Sequence, residues 1–192
     1  MPDEITPLNL HHQAATTPTA SKAVIPAPPA AIPDFGEQRN NGLYQHALAQ
    51  GHKLGVFASS DHISQHTSFG GVYVEEFSRT GIIDAFKARR SIAATDKIFV
   101  EFGCDGHPMG AIFATTRKPA LSYAVNGTAP VKRITIVRNE TNYHVVEPNL
   151  RETRGAFTDD APLAGENRYY LRVEQADGNM AWSSPVWVTV KP

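Results

Sequence analysis

The second half of the chain alternates so regularly that little besides a β-sheet can use it. From Pro119 onward the runs "LSYAV", "RITIVRN", "YHVVE", "RYYLRVEQ" and "PVWVTV" follow one another. They are separated by "NGT", "APLAGEN" and "ADGN", which are turn chemistry. Short strands at that spacing, rich in β-branched and aromatic residues, predict a small antiparallel β-sandwich. Asp177-Gly178 marks a hairpin turn, and Trp182 and Trp187 are expected to fill the sandwich core, the other reading being exposed tryptophans that stack on sugars.

Upstream the texture differs. "NGLYQHALAQG" spaces Leu43, Ala47 and Leu48 for a helix and closes on Gly51, a good C-terminal residue. "KLGVFASS" reads as a short apolar strand, "TGIIDAFKARRS" as a second helix, and "KIFVEFG" as a strand again. Helix, strand, helix, strand is the pattern of an α/β layer. The N-terminus is different again: "TTPTASKAVIPAPPAAIP" has no periodicity, and its prolines remove backbone donors, so residues 1–33 are expected to be a disordered tail. The expected organisation is therefore a tail over 1–33, an α/β segment over 34–116, and a β-sandwich over 117–192.

Composition narrows the functional classes. The 192 residues carry a net charge of −1, which gives no basic surplus for a phosphate backbone or an anionic membrane surface, so neither nucleic acid nor membrane is an expected partner. One cysteine, Cys104, excludes an intrachain disulfide and a CxxC zinc site. Asp3 and Glu4 stand where a signal peptide carries positive charge, and no apolar run nears the roughly 18 residues of a membrane helix. A soluble, cytoplasmic chain is the expectation.

The chemistry-bearing stretch is "LGVFASSDHISQHTSFGG", which brings Asp61, His62 and His66 within six residues. If the chain leaves its strand near Ser60 and begins a helical turn, His62 and His66 share a face at i, i+4 and suit a metal, with Asp61 completing an oxygen and nitrogen set for zinc, manganese or iron. The other reading is a capping aspartate and two solvated histidines. Arg89 and Arg90 in "KARRSIAATD" are either a clamp for an anionic substrate or a solvated helix end that favours cations. Thr95 and Asp96 read as entry to the next strand. Cys104 and His107, in "FGCDGHPMG", read as a strand-turn-strand rather than a nucleophile and its base. Glu75 and Glu76 are an acid pair or edge-strand charge.

Three stretches, "YQHALAQGHKLGVFASSDHISQH", "GVYVEEFSRTGIIDAFKARRSIAATDKIFVEF" and "RYYLRVEQADGNMAWSSPVWV", together resemble the C-terminal part of the DUF3604 group, which is related to the PHP superfamily of metal-dependent phosphoesterases. The resemblance runs from about Pro33 to the end. It implies a partial PHP-type distorted (β/α)-barrel followed by an immunoglobulin-like antiparallel β-sandwich. It further implies that Asp61 and His62 are metal ligands, His66 a ligand or proton donor, and Arg90 a substrate clamp, in a divalent-metal hydrolase acting on a small anionic substrate. The family's spacing is Asp-x-His, whereas Asp61 adjoins His62 here, and the N-terminal His-x-His and earlier barrel strands have no counterpart. The expectation is thus a C-terminal fragment that binds metal weakly unless a missing N-terminal barrel fragment joins it. The alternative is a non-catalytic remnant whose sandwich is a binding or domain-packing module.

Overall fold

The computed structural model of the chain describes residues 44–60 and 68–191. The expected tail over 1–33 lies outside them. So do Asp61, His62 and His66.

The described chain is mostly β. Its order is α1 (Tyr44–Ala49), β1 (Phe69–Val72), α2 (Arg79–Lys87), β2 (Ser91–Ala94), β3 (Phe99–Cys104), β4 (His107–Pro108), β5 (Ile112–Thr115), β6 (Ala120–Arg138), β7 (Thr141–Val146), β8 (Leu150–Thr158), β9 (Gly165–Gln175), β10 (Met180–Ser183) and β11 (Val186–Val190). All eleven strands join one curled sheet, along the path β1-β2-β10-β9-β6-β3-β4. Strands β5 and β11 pair in parallel, and every other pairing is antiparallel.

The long β6 strand makes the curl. Its first half pairs with β3 on one side and β8 on the other, with Tyr123 opposite both Phe102 and Gly155. Its second half pairs with β7 and β9. The change falls at residues 126–131, where the register slips and Pro130 has no amide hydrogen to donate. Gln175, buried at the end of β9, stands in for the missing ladder there. Its Oε1 accepts from the backbone amides of Thr128 at 2.9 Å and Ala129 at 3.3 Å, and its Nε2 donates to Thr128 Oγ1 at 3.0 Å. A buried amide that satisfies two turn donors contributes as a cap does.

Strand alternation then sorts residues to two faces. Inside the curl, Val100, Phe102, Leu121, Tyr123 and Val125 meet Ile134, Ile136, Leu171, Val173, Ala181, Ile92 and Ala94 in one cluster. On the outer face the neighbours in sequence, Val137, Tyr170, Trp182 and Trp187, form a second cluster with Met180 and with Leu48 of α1. The two tryptophans are buried as expected, but they sit beneath α1 instead of between the layers. The helix is short and closed by Gly51 at φ +90°, a conformation that suits glycine.

The expected α/β layer over 34–116 is corrected here. β1 and β2 run antiparallel to each other, β2 to β10, and β3 to β6, whereas a (β/α)-barrel needs parallel neighbours joined by crossovers. The expected boundary at 116/117 is crossed by continuous hydrogen bonding, since β2, β3 and β5 pair with strands from beyond it. The described part of 34–116 and residues 117–191 therefore share one sheet and one core. "KLGVFASS" belongs to no strand. Serine side chains bond its backbone instead: the Val56 amide donates to Ser184 Oγ at 3.0 Å, and its carbonyl accepts from Ser91 Oγ at 2.6 Å.

Candidate functional site

The α2 helix begins at Ser78, whose Oγ accepts from the Gly81 amide at 3.0 Å, and ends in a turn that sends its two arginines apart. Arg89 takes a left-handed conformation, φ 58°, and the Arg90 amide closes back onto the Ala85 carbonyl at 2.9 Å. This position is usually glycine, because a Cβ there is strained. The Arg89 side chain folds inward: Nε donates to the Gly110 carbonyl at 3.2 Å and the guanidinium lies 5.6 Å from the Trp187 ring centroid. Burial pushes its pKa down. Arg89 is thus a packing element and no clamp.

Arg90 points elsewhere. It lines an open groove of about 450 Å³ beside β3, together with Tyr73, Glu101, His107, Ser122 and Arg154. Arg90 Nη1 holds Glu75 Oε1 at 2.7 Å, but that carboxylate side chain is 85% exposed. Such a surface pair is worth roughly 0–1 kcal/mol and exchanges easily for another anion. Tyr73 donates to the Val100 carbonyl at 2.8 Å and so covers part of the β3 edge. Burial first, then the Glu101 charge, push its pKa up to about 12, against a lowering from that hydrogen bond, so its hydroxyl keeps its proton.

Glu101, Ala124 and Arg154 lie in one row across β3, β6 and β8. Two strand spacings, about 10 Å, separate the two backbones, and Glu101 and Arg154 make no ion pair. Arg154 accordingly has no carboxylate partner among the described residues, and small side chains at Ser122 and Ala124 leave the space between open. His107 is stacked on Phe113, ring centroids 4.1 Å apart. The groove offers two guanidinium groups and an imidazole to a ligand, against one free carboxylate. Sequence reasoning singled out Arg90 but missed Arg154 and Tyr73, because only the pairing of β8 with β6 brings Arg154 there.

The remaining expected site residues divide plainly. Asp61, His62 and His66 lie outside the described residues. Among the described residues, no three His, Cys, Asp or Glu side chains form a group that could hold a metal ion. His46 meets Gln50 Nε2 at 3.0 Å and His144 stacks on Phe157, so neither reaches toward a shared centre. Cys104 and His107 flank a tight turn in which Asp105 and Gly106 both have positive φ. Cys104 is fully buried. Burial first, then the charges of Asp105 and Asp159, push its thiol up to about 12. A thiol in that state is no nucleophile at neutral pH. Glu75 serves Arg90, and Glu76 accepts the Ser78 amide through its backbone carbonyl. Thr95 ties the strand entry to β10, accepting from the Met180 amide at 2.9 Å, and Asp96 accepts from the Lys97 amide at 2.7 Å.

Sequence reasoning also passed over Asp159, a buried carboxylate that accepts from four separate groups. It has no exposed surface. It accepts from Arg138 Nη1 at 2.8 Å, from the hydroxyls of Tyr143 and Tyr169 at 2.7 Å each, and from the Ala161 amide at 3.0 Å. Burial raises its pKa, but the hydrogen bonds from Tyr143, Tyr169, Arg138 and Ala161 more than offset that and hold the carboxyl below its usual range. The arrangement knots β6, β7 and β9 to the loop after β8. It is closed to a ligand.

No family model matches the chain. It is 33% identical over 150 residues to an uncharacterised protein of Chlamydia trachomatis serovar D, an alignment covering 69% of this chain and 24% of that one. Uncharacterised proteins of Chlamydia muridarum and Chlamydia pneumoniae match at 32% and 31% with the same coverage. The chain spans about a quarter of the length of these relatives. Among solved structures it is similar to fibronectin(III)-like modules of Clostridium thermocellum CbhA, with TM-score 0.35 and 18% identity over 47% of this chain and 94% of that one. A CARDB domain from Pyrococcus furiosus, solved with di-metal ions, gives TM-score 0.33 and 15% identity over 50% and 94%. A lytic polysaccharide monooxygenase of Jonesia denitrificans gives 0.33 and 15% over 77% and 93%. These likenesses are too slight to define the architecture, which rests on the pairings above. Among the described residues, no helix is long and apolar enough to cross a membrane.

Proposed function

We propose that the chain is a non-catalytic β-module, immunoglobulin-like in its layering, that serves a longer protein by binding an anionic group in the groove beside β3. The observation that carries this reading is the pairing of Arg90, held only by an exposed carboxylate, with Arg154, which has no carboxylate partner among the described residues, in one open groove. A guanidinium recognises carboxylate or phosphate oxygens in a bidentate manner. Two groups whose pKa values are pushed far up support it further, because each is engaged in packing: Tyr169 in the buried knot and Cys104 in the core. Calorimetric titration with inorganic phosphate and with acetate tests it. Binding in the millimolar range, weakened about tenfold in Arg154→Ala and again in Arg90→Ala, is the expected result. Equal affinity in all three chains, or none in the wild type, overturns it.

A second reading rests on the resemblance of the sequence to the PHP-related group, with Arg90 as a guanidinium held only by an exposed carboxylate: a PHP-like, divalent-metal-dependent hydrolase with Asp61, His62 and His66 as ligands and His66 and Arg90 serving catalysis. Bound zinc, manganese or iron would acidify a water there. Metal content of the purified chain, alone and co-expressed with an upstream fragment, tests it. Metal-free protein in both preparations sinks it.

A further inference from the structure

Among the described residues β8 pairs only with β6, so one long side of it meets no strand. The other edge strands, β1, β4, β5 and β7, have four, two, four and six residues, whereas β8 has nine. Folded sheets blunt an exposed edge with lysine, proline or a bulge. "LRETRGAFT" contains no lysine and no proline, and its pairing with β6 runs without a slip from Thr158 to Glu152.

The ladder decides which backbone groups of β8 face outward. The Asp159 amide donates to the Pro119 carbonyl, while the Asp105 amide donates to the Ala120 carbonyl from the opposite side. Antiparallel ladders bond through alternate residues. Phe157, Gly155 and Thr153 therefore bond to β6, and the amides and carbonyls of Ala156, Arg154 and Glu152 turn outward. Glu152 and Arg154 are also exposed and share one face of the strand. Neither has an ion pair among the described residues.

A second copy can pair antiparallel with this edge about a two-fold axis only where outward residues face outward residues. With Thr153 opposite the partner's Thr153, Glu152 faces the partner's Arg154, and Arg154 faces the partner's Glu152. In the two neighbouring registers that keep the hydrogen bonds, either Glu152 or Arg154 faces its own counterpart. Like charges directly opposite are destabilising, so the charges select the first register. We infer that β8 is a homodimerisation edge, which pairs with β8 of a second copy about Thr153 and continues the sheet across both chains. The inference goes beyond the anion-binding groove and does not rest on it. The Arg154 guanidinium has five donors, enough for a cross-strand carboxylate and a groove ligand together.

Sedimentation of the full chain at about 0.1 mM, a concentration suited to a small interface, should show a dimer. Glu152→Arg and Arg154→Glu each set two like-charge pairs across the axis and should weaken association about tenfold or more. Mixing the two variants sets opposite charges at both positions again and should restore a dimer with one chain of each. Should either variant fail to fold, amide exchange in the wild type decides: the Glu152 and Arg154 amides should exchange more slowly as chain concentration rises. A monomeric wild type, association untouched by either substitution, a mixture of folded variants that stays monomeric, or amide exchange independent of concentration overturns the inference. Dimerisation is read by mass and anion binding by calorimetry, so either can fail while the other stands.

Discussion

Removing the Asp159 carboxylate should unfold the protein's most heavily tied corner. In Asp159→Ala the Arg138 guanidinium, with its side chain 16% exposed, keeps only the Ala161 carbonyl at 2.8 Å. The Tyr169 hydroxyl, in a residue with no exposed surface, keeps nothing. Breaking a buried pair from one side costs about 3–5 kcal/mol, and a stranded buried hydroxyl about 1–3 kcal/mol. Tyr143 is half-buried and regains water, and Arg138 keeps one acceptor and some hydration, so the low end of that sum, about 4 kcal/mol, is the expectation, a large part of a domain's usual 5–15 kcal/mol. That corresponds to a fall in Tm of roughly 8–16 °C for a chain of this size. Asp159→Asn keeps the shape and should cost about half as much. The pH dependence has a fixed sign. The folded pKa of Asp159 lies below its ordinary value, so its stabilisation is complete above the unfolded pKa of about 3.9 and is lost as pH falls through the folded value. Urea unfolding of wild type and Asp159→Asn should therefore show a constant gap from pH 8 to about pH 5 that narrows below about pH 4. A cost under about 1 kcal/mol for the alanine variant at pH 7, or a gap that stays constant in acid, would refute the reasoning.

Other positions give equally direct tests. Gly110→Ala places a Cβ 2.0 Å from the Ala88 carbonyl oxygen at a backbone φ of +87°, and should cost about 3 kcal/mol or more by chemical denaturation. Ser78→Ala removes the cap of α2 and should cost about 1 kcal/mol in the same assay. Cys104, with its thiol pushed up to about 12, should resist an aromatic disulfide reagent at pH 8 in the native protein and react fully in denaturant. Residues 117–192, expressed alone, should show no cooperative melting, because β6 loses β3, β10 loses β2, and the core loses Val100, Phe102 and Met109.

What was legible in the sequence was local. The strands that bury one face announce themselves by alternation, as "RITIVRN" does in β6 and "RYYLRVEQ" in β9, where successive residues go to the inner and outer clusters. β8 gave no such signal. "LRETRGAFT" has exposed polar residues along most of its length and pairs with a single neighbour, so no hydrophobic pattern was required of it. The bend in β6 looked like a turn between two strands because "NGTAP" has turn composition. It is a kink within one strand, satisfied by Gln175 from 47 residues away. Partner direction was equally illegible: helix and strand periods over 79–104 are the same whether β3 lies parallel or antiparallel to its neighbour, and the assignment to an α/β layer failed on that point.

The same division separates the residues that were found from those that were missed. Arg90 stood out because two arginines end a helix, but their opposite roles come from the left-handed turn at Arg89, which no composition rule marks. Asp159 lies in a loop beside Asp160 and looks like any solvated acid, since its partners are 21, 16 and 10 residues away. Trp182 and Trp187 were correctly expected to be buried, but the face they occupy is decided by α1, whose Leu48 needs a surface to cover. In this chain, side-chain character foretold burial, and strand pairing decided which buried or charged groups could meet. The groove of Arg90 and Arg154 is a product of pairing, which is why it could not be read from spacing along the chain.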